Sequence, residues 1–464
     1  MSGIFGVVSR SDCMDDLFYG TDYHSHLGTE FGGLVIQENR LHRAIHRMAN
    51  GQFKNLFDSF YRAYSGSMGL GVVSDSDPQP IVMETRFGTC AVVTAGLVAN
   101  RRALARELIE EGITLSEIEE GQVNQTELVA KIIARGADVV EGIQTAFRRI
   151  EGSISLMAMT RDGIFAGSDG HARLPLVVGE RDGATAIASE TCAFPNLGYQ
   201  VRKYMQPGEI VFITPEGTRQ AAAPAGGRKV CSFLWIYTGY PASSYEGVSV
   251  ETVRERCGRA LARKDDVQAD LTSGVPDSGT GHAVGYAMES RLPLRRALVK
   301  YSPGYGRSYT PPSQEVRDQI ARMKLIAIED IVRNNRIVLC EDSVVRGTQL
   351  RNLTLGKLWD AGAAEIHVRV ACPPLMFPCL YNLSTRTHDE LAARRAIRAL
   401  EGSDPQDVAP YLDESTEQYR QMVQWICRDV KATSLVYLTL EEMIEAIGLP
   451  ACDLCTHCWN GRPD

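Results

Sequence analysis

The 464-residue sequence lacks several features that would place it in other protein classes. It has no apolar run of the roughly 20 residues that a membrane span needs. Its first residues lack the basic start, apolar stretch and cleavage site of a secretory signal peptide. Positive charge is scarce, with 49 Lys and Arg against 57 Asp and Glu and a net charge of −8. This charge disfavours a broad basic surface for nucleic acid, and we expect a cytoplasmic protein with neither a membrane nor a nucleic-acid partner.

The sequence also lacks internal repeats, and its only low-complexity stretch is AAAPAGGR at 221–228. This composition is typical of a linker. Before it, short apolar segments alternate with Gly-rich turns, and helical patterns occur at 101–110 and 126–134. This mixture predicts an α+β layered domain over residues 1–228. Its predicted strands are 4–8, 69–73, 90–94, 155–160, 164–166, 176–178 and 210–214.

The second half of the chain, residues 229–464, has a different pattern. Strands are predicted at 267–275, 336–340 and 365–371, with helices at 282–290 and ending near 361. The order strand, loop, helix, strand forms a βαβ unit, so this half is predicted to contain a parallel sheet. Ligands bind such sheets at the carboxyl ends of the strands. The loops that follow these strands are therefore the candidate site.

The loop after the second of these strands carries the most informative motif. The apolar segment 336–340 is followed by Glu341, Asp342 and then the hexapeptide SVVRGT at 343–348. Backbone N–H groups and hydroxyls of such a loop can bind a phosphate at a helix N-terminus. The carboxylates can hold sugar hydroxyls or a hydrated Mg²⁺. The alternative is a polar turn with a solvated acidic pair, because short motifs also match by chance.

This motif resembles the phosphoribosyl-pyrophosphate (PRPP) motif of type I phosphoribosyltransferases, and the chain from Ser2 to Cys458 resembles the glutamine PRPP amidotransferases. The resemblance implies an α+β N-terminal-nucleophile (type II glutamine amidotransferase) sandwich over 1–228. It implies an α/β phosphoribosyltransferase domain with a parallel sheet over 229–464. The implied reaction transfers nitrogen to the anomeric carbon of PRPP and releases pyrophosphate, as in purine synthesis. Mg²⁺ as cofactor and a homo-oligomer are implied as well.

The resemblance also assigns roles to residues of the second domain. Ser278, Glu341 and Asp342 would hold Mg²⁺. Arg307 and Lys324 lie in segments that resemble the loop closing over PRPP, where their charges would stabilise the leaving pyrophosphate. The family usually has two Asp residues where this chain has Glu341 and Asp342. The implied PRPP site comprises Asp277, Ser278, Gly279, Glu341, Asp342, Ser343, Val344, Val345, Arg346, Gly347 and Thr348.

Twelve cysteines are many for a chain expected in a reducing compartment. Most are isolated in the sequence, as buried apolar thiols are, but three lie within the seven residues 452–458. Some members of the family hold a [4Fe–4S] cluster, and their ligand pattern falls here on Cys231, Cys379, Cys455 and Cys458. A structural zinc that uses the last two of these, or thiols that bind no metal, are the alternatives.

The first domain departs from the family at the positions that the glutaminase reaction uses. The nucleophilic cysteine, which removal of the initiator Met exposes, is here Ser2, a weaker nucleophile. Loss of one oxyanion-hole donor alone costs about 10²–10³ in rate, so we expect a glutaminase-like domain that no longer hydrolyses glutamine. The resemblance places Ser74 where the family has the Arg that binds the glutamine carboxylate, and Gln125 where it has the Asp that binds the amine. The oxyanion-hole pair Asn-Gly of the family is Ala95-Gly96 here, within Thr94-Ala95-Gly96. The family segment His-Arg-Gly-Gln reads His26-Leu27-Gly28-Thr29.

Three functions stay open at this point. The first is an amidophosphoribosyltransferase-like enzyme whose nitrogen comes from ammonia, a partner glutaminase or another amine. The second is a phosphoribosyltransferase with a base or other acceptor. The third is a non-catalytic PRPP or nucleotide sensor, or an inactive regulatory subunit, for which Glu341 is the only support in the second domain.

Overall fold

The computed structural model describes residues 2–119, 121–301, 325–348, 350–382, 385 and 387–462. The chain folds into two compact units. The N-terminal unit comprises Met1–Cys231, Ser243–Gly247 and Leu380–Leu383, and the C-terminal unit comprises Ser232–Ala242, Val248–Cys379 and Ser384–Asp464. The two later returns of the chain to the N-terminal unit were not expected from the sequence. Within the described ranges, no helix is long and apolar enough to cross a bilayer.

The N-terminal unit is rich in strands. They are β1 (Gly3–Ser9), β2 (Phe31–Gln37), β3 (Leu41–Arg47), β4 (Met68–Ser74), β5 (Ile81–Thr85), β6 (Gly88–Val98), β7 (Ile118–Glu119), β8 (Gln122–Val123), β9 (Gly152–Thr160), β10 (Gly163–Ser168), β11 (Val177–Arg181), β12 (Ala184–Ala188), β13 (Gln200–Tyr204), β14 (Ile210–Thr214), β15 (Gly217–Ala222), β16 (Val230–Cys231) and β17 (Ser244–Tyr245). Its helices are Met14–Asp22, Phe53–Ala63, Arg101–Glu110, Gln125–Ile133, Val139–Arg149 and Phe194–Leu197. Each strand and helix predicted in this half has a counterpart here.

Two antiparallel sheets form the centre of the N-terminal unit. One has the strand order β13-β11-β12-β1-β4-β2-β3 and the other β15-β14-β10-β9-β6-β5. Their facing side chains make one buried cluster, with Ile4 and Leu70 from the first sheet against Val93 and Met157 from the second. Successive strand residues point to opposite faces, so each sheet also has an outer apolar face. This unit is the predicted sandwich.

Amphipathic helices cover both outer faces of the sandwich. Leu17 and Phe57, on helices Met14–Asp22 and Phe53–Ala63, pack with Phe5 of the seven-stranded sheet. Helices Arg101–Glu110, Gln125–Ile133 and Val139–Arg149 cover the six-stranded sheet. Gly71 of β4 permits the close approach of the first helix, since a Cβ there would lie 1.8 Å from Thr21 Oγ1. The result is a four-layer αββα arrangement.

The C-terminal unit contains the predicted parallel sheet. Its strands are β18 (Val248–Ser249), β19 (Leu271–Gly274), β20 (Leu298–Lys300), β21 (Leu325–Ala327), β22 (Arg336–Glu341), β23 (Glu365–Val370), β24 (Ser434–Tyr437) and β25 (Leu454–Cys455). Its helices are Val250–Arg263, Gly279–Ser290, Glu329–Val332, Gly356–Asp360, Ala392–Glu401, Glu417–Val430, Leu440–Ile447 and His457–Asn460, with π-helical turns at Leu234–Thr238 and Leu350–Leu355. Strands pair in parallel in the order β19-β22-β23-β24. Because β19 and β22 are neighbours, the loops after them leave the same edge of the sheet.

Two predicted boundaries in this unit were wrong. The strand predicted from 267 starts at Leu271, because polar residues before it, including Asp270, form the approach to the sheet. The helix predicted to start at 282 starts at Gly279, one residue after Ser278. The segment before 361 also begins as a π-helical turn at Leu350–Leu355 before Gly356–Asp360 continues as an α-helix.

A buried ion pair joins β23 to the loop that follows helix Val250–Arg263. The Nη2 atom of Arg369 lies 2.9 Å from Oδ1 of Asp265, its Nε atom bonds the other carboxylate oxygen, and the Tyr286 hydroxyl donates to that oxygen at 2.6 Å. Burial alone would raise the pKa of Asp265, but the bonds from Arg369 outweigh it and hold this pKa below its ordinary value. The pair depends on both partners, because either one alone would be a buried, uncompensated charge.

We therefore predict that Asp265→Asn destabilises the protein by about 3–5 kcal/mol. The substitution leaves the Arg369 guanidinium buried without its counter-charge. Urea unfolding followed by circular dichroism measures the change. The matched control is Asp270→Asn, which removes the partner of Arg336 in an exposed pair of the same sheet and should change stability little. Equal losses in the two variants would contradict the role given to burial.

Candidate functional site

The two loops at the carboxyl edge of the parallel sheet meet side by side. The N–H of Val275, just after β19, donates to the carbonyl of Cys340 near the end of β22 at 3.0 Å. Ser278 Oγ then donates to Asp342 Oδ2 at 2.5 Å. Gly279, the third predicted residue of this loop, starts the following helix. The structure thus brings together residues that the sequence separates by 64 positions.

The two carboxylates after β22 are withdrawn from solvent. Glu341 is 9 % and Asp342 is 4 % exposed. Burial, and next the neighbouring charge of Asp342, raise the pKa of Glu341 well above its ordinary value. Ser343 Oγ donates to the second oxygen of Asp342 at 2.5 Å. Two adjacent carboxylates and the Ser278 hydroxyl make an all-oxygen set that fits Mg²⁺, a cation that prefers oxygen ligands and would offset the like-charge repulsion.

The loop 343–348 turns sharply and leads into helical backbone. Gly347 has φ +72°, a conformation in which a side chain is strained. Val344 is buried, whereas Arg346 is exposed and its guanidinium lies 3.1 Å from Glu390. The N–H of Arg351 donates to the Gly347 carbonyl at 2.9 Å, in the first helical turn after the loop. A loop of this kind can present several N–H groups to one anion.

A basic residue that the sequence analysis missed lies beside the first loop. Lys300, at the end of β20, places its Nζ 2.6 Å from Asp277 Oδ2. Both side chains are exposed at about half or more of their surface, so the pair adds little stability. The sequence analysis predicted no strand at 298–300, so nothing there distinguished Lys300 from a surface lysine. The two predicted closing-loop residues, Arg307 and Lys324, lie outside the described residues.

The four predicted cluster cysteines divide between the units. Cys231 ends the first segment of the N-terminal unit, and the other three belong to the C-terminal unit. There the N–H groups of Met376 and Phe377 donate to the Cys458 carbonyl at 2.9 and 3.1 Å, which places the segment of Cys379 against the chain end. Cys455 and Cys458 are buried. Among the residues that the structure describes, no group of three or more His, Cys, Asp or Glu has the geometry of a metal site.

Ser2, the position of the family nucleophile, is buried in the N-terminal unit. Its hydroxyl donates to Ser74 Oγ at 3.3 Å. Ser74 Oγ in turn accepts the N–H groups of Ser76 and Asp77 at 3.2 and 3.3 Å. The strand that carries Ser74, β4, has the sequence MGLGVVS and contains no charged residue. If the correspondence with the family is shifted along this strand, there is therefore still no Arg that could bind a substrate carboxylate.

Gln125, at the amine-binding position, makes its hydrogen bonds within the protein. Its Oε1 accepts the Val98 N–H at 3.1 Å, and its Nε2 donates to the Gly96 carbonyl at 3.1 Å and to Ser76 Oγ at 3.2 Å. The side chain is 2 % exposed. The Gln125 amide has no charge that could pair with a substrate ammonium group. Its hydrogen bonds are already made to residues at the end of β6 and to Ser76. Gln125 thus makes its described hydrogen bonds within the N-terminal unit.

A buried carboxylate that the sequence analysis left without a role organises the neighbouring loops. Glu190 has no exposed surface and accepts from His26 Nε2 at 2.5 Å and from the Ser243 hydroxyl. Burial alone would raise its pKa, but the charge and hydrogen bond of His26, the charge of His24 and the hydrogen bond from Ser243 together outweigh burial and lower the pKa to about 2. Thr191 Oγ1 also accepts the Ser244 N–H at 2.8 Å. These bonds fix the segment 243–247 within the N-terminal unit.

Comparisons with known proteins agree with this architecture. The family model described as a glutamine amidotransferase domain matches residues 67–196. An amidophosphoribosyltransferase of Synechocystis is 32% identical over 453 residues, covering 96% of this chain and 83% of the relative. One from Methanocaldococcus jannaschii is 30% identical over 490 residues, covering 100% of this chain and 97% of the relative.

A solved structure is similar over nearly the whole chain. It is the glutamine PRPP amidotransferase from B. subtilis complexed with ADP and GMP, with 28% sequence identity and a TM-score of 0.84. The match covers 99% of this chain and 96% of that chain. Both units thus have counterparts in one known protein. The implied fold, a glutamine-amidotransferase sandwich followed by a phosphoribosyltransferase unit, is confirmed.

We predict that Glu190→Gln destabilises the N-terminal unit by about 3 kcal/mol at pH 7, at about 1.4 kcal/mol per pKa unit. The pKa of the folded Glu190 lies near 2, below its ordinary value of 4.5. Its stabilisation is therefore complete above pH 4.5 and is lost as the pH falls towards 2. Thermal unfolding of both proteins between pH 3 and 7 should give curves that converge at low pH. A pH-independent gap, or a similar loss in the exposed control Glu216→Gln, would contradict this interpretation.

Proposed function

This chain belongs to the amidophosphoribosyltransferase family, and from this premise we propose that it transfers a nitrogen group to the anomeric carbon of PRPP and releases pyrophosphate. The observation that carries the proposal is the contact between Ser278 and Asp342, which joins the two ligand loops of the parallel sheet. This contact brings together the hydroxyl and the carboxylates that would bind PRPP with its Mg²⁺.

The residues of the C-terminal unit supply positioning and charge for this transfer. The 5-phosphate of PRPP would lie on loop 343–348, and the ribose hydroxyls would bond Glu341 and Asp342. The pyrophosphate would lie on the loop around Ser278. Bound Mg²⁺ would neutralise charge on the pyrophosphate. The nitrogen nucleophile forms a C–N bond as the C–O bond to pyrophosphate breaks, and its surplus proton passes to water. The rate acceleration comes from orientation of the reactants and from electrostatic stabilisation.

The proposal includes the loss of glutamine hydrolysis in the N-terminal unit. Ser2 has a hydroxyl in place of a thiol, and its partner is the Ser74 hydroxyl. Gln125 is neutral and bonded to Gly96 and Val98. Ala95 provides no side-chain donor for an oxyanion. These substitutions support ammonia, or an amine delivered from elsewhere, as the nitrogen source.

The decisive experiment measures pyrophosphate release from PRPP and Mg²⁺ with ammonium at high pH, with glutamine, and with neither. We predict release with ammonium only, because the transferase site carries the required groups and the glutaminase site does not. Ser2→Cys should leave glutamine unused, since the other glutamine-binding groups are still missing. Asp342→Asn should lower ammonium-dependent release by about 100-fold or more.

Each arm of this experiment has a defined contrary result. Glutamine-dependent release by the unaltered protein would show that Ser2 is a working nucleophile. Release in no arm would refute ammonia transfer and leave a different acceptor or a PRPP sensor. Equal activity of Asp342→Asn and the unaltered protein would remove the carboxylate pair from the site. Glu216→Gln, which is far in sequence from both loops and exposed, controls for activity lost during purification of a variant.

A [4Fe–4S] cluster at Cys231, Cys379, Cys455 and Cys458 is part of the same proposal. Its support is the set of four thiols and the bonds from Met376 and Phe377 to Cys458. The described side chains do not form a preassembled metal site, so no step of the reaction is assigned to a cluster. A cytoplasmic location and a homo-oligomer also stay predictions from the sequence.

We predict that protein purified without oxygen is brown and contains about four irons and four labile sulfides per chain. Iron and sulfide analysis with a visible spectrum measures this directly. Cys455→Ser should lose the iron, whereas Cys427→Ser, which alters a cysteine outside the ligand set, should retain it. A colourless protein with stoichiometric zinc would contradict the cluster and favour a structural zinc site.

A further inference from the structure

We infer that Arg395 and Asp429 are positioning residues that orient loop 343–348 to bind a phosphate. Both lie outside the loop, on helices Ala392–Glu401 and Glu417–Val430. The inference rests on the proposed function, because it assigns the 5-phosphate of PRPP to this loop. It names residues behind the loop on which its affinity for that phosphate depends.

Three successive carbonyl groups of the loop accept hydrogen bonds from residues outside it. The Val345 carbonyl accepts the Ala392 N–H at 2.7 Å, and the Arg346 carbonyl accepts Arg395 Nη2 at 2.9 Å. The Gly347 carbonyl accepts the Arg351 N–H at 2.9 Å. Side chain and backbone donors together therefore fix the peptide planes between 345 and 348.

This anchoring determines where the N–H groups point. In a trans peptide the C=O and the following N–H are antiparallel within one plane. Carbonyls held by the residues behind the loop thus direct the N–H groups of Arg346, Gly347 and Thr348 away from those residues. Converging N–H groups of consecutive residues form an anion-binding concavity. The left-handed conformation of Gly347 contributes the required change of direction.

One carboxylate holds the arginine that makes the central anchor. Asp429 Oδ2 lies 3.1 Å from Arg395 Nη2, and its Oδ1 lies 3.1 Å from Arg351 Nη1. Asp429 therefore fixes the guanidinium that binds the loop and the arginine just after the loop. The next residue, Val430, closes the space behind Gly347, where a Cβ would lie 3.3 Å from Val430 Cγ1.

The exposure of these side chains argues for positioning over stability. The side chains of Arg395, Asp429 and Arg351 are 32 %, 21 % and 33 % exposed, and ion pairs that contact water contribute little to folding. Their effect is instead concentrated on one loop. Groups behind a binding site typically change its affinity by about 10- to 100-fold. The expected consequence is weaker phosphate binding in a folded protein.

The test compares Asp429→Asn and Arg395→Gln by calorimetric titration with ribose 5-phosphate and, separately, with magnesium pyrophosphate. We expect ribose 5-phosphate to bind about 10-fold more weakly in both variants. Pyrophosphate affinity should be unchanged, since its loop is the one around Ser278. In the transfer assay KM for PRPP should rise similarly while kcat changes less than about twofold. A purely structural role would lower both affinities and the unfolding midpoint together.

Arg398→Gln is the matched control on the same helix. Its guanidinium bonds Asp389, whose side chain is 77 % exposed, so both affinities should be retained. Unchanged ribose 5-phosphate binding in both Asp429→Asn and Arg395→Gln would overturn the inference. So would a chain that releases pyrophosphate but binds no ribose 5-phosphate. A chain that binds ribose 5-phosphate, loses it in the variants and releases no pyrophosphate would refute the proposed function alone.

Discussion

The burial of two adjacent carboxylates at the end of β22 is the constraint on which the C-terminal unit depends. Glu341 and Asp342 stay close to each other because the strand fixes their backbone, and the parallel neighbour β19 delivers Ser278 to within hydrogen-bonding distance. Such an arrangement opposes full ionisation, as the raised pKa of Glu341 shows. Ser278 and Ser343 donate hydrogen bonds to Asp342, and a bound cation would offset the repulsion that remains between the two carboxylates. The sheet therefore holds two carboxylates that repel each other, and a magnesium-bound substrate would reduce this repulsion.

In the N-terminal unit, by contrast, buried polar groups receive their hydrogen bonds from within the protein. Glu190 is more deeply buried than Glu341, yet its pKa is lowered because His26 and Ser243 donate to it. Gln125 likewise finds its partners on β6 and in Ser76. A buried polar group with its own partners has no remaining demand for a ligand. The two units differ in whether their buried polar groups already have partners within the protein, and this difference supports the proposal that only the C-terminal unit binds its substrate.

Sequence reasoning succeeded where the signal was local. Short apolar segments identified strands such as β4, β9 and β22, the strand that precedes the loop 341–348. Contacts between distant residues left no such signal. His26 and Glu190 are 164 positions apart, and Arg351 and Asp429 are 78 apart. Charged residues like these are indistinguishable in sequence from solvated surface residues until the fold brings them together.

The proposed loss of glutamine hydrolysis is physically compatible with retention of the N-terminal fold. Catalytic groups are commonly costly to a fold, because they keep polar atoms unsatisfied for the substrate. Here Ser2 and Ser74 bond each other, and Gln125 closes the end of β6. Substitutions of this kind convert groups reserved for glutamine into internal hydrogen bonds. Loss of the reaction and preservation of the sandwich are thus compatible, since the changes that would remove hydrolysis also satisfy the polar atoms around it.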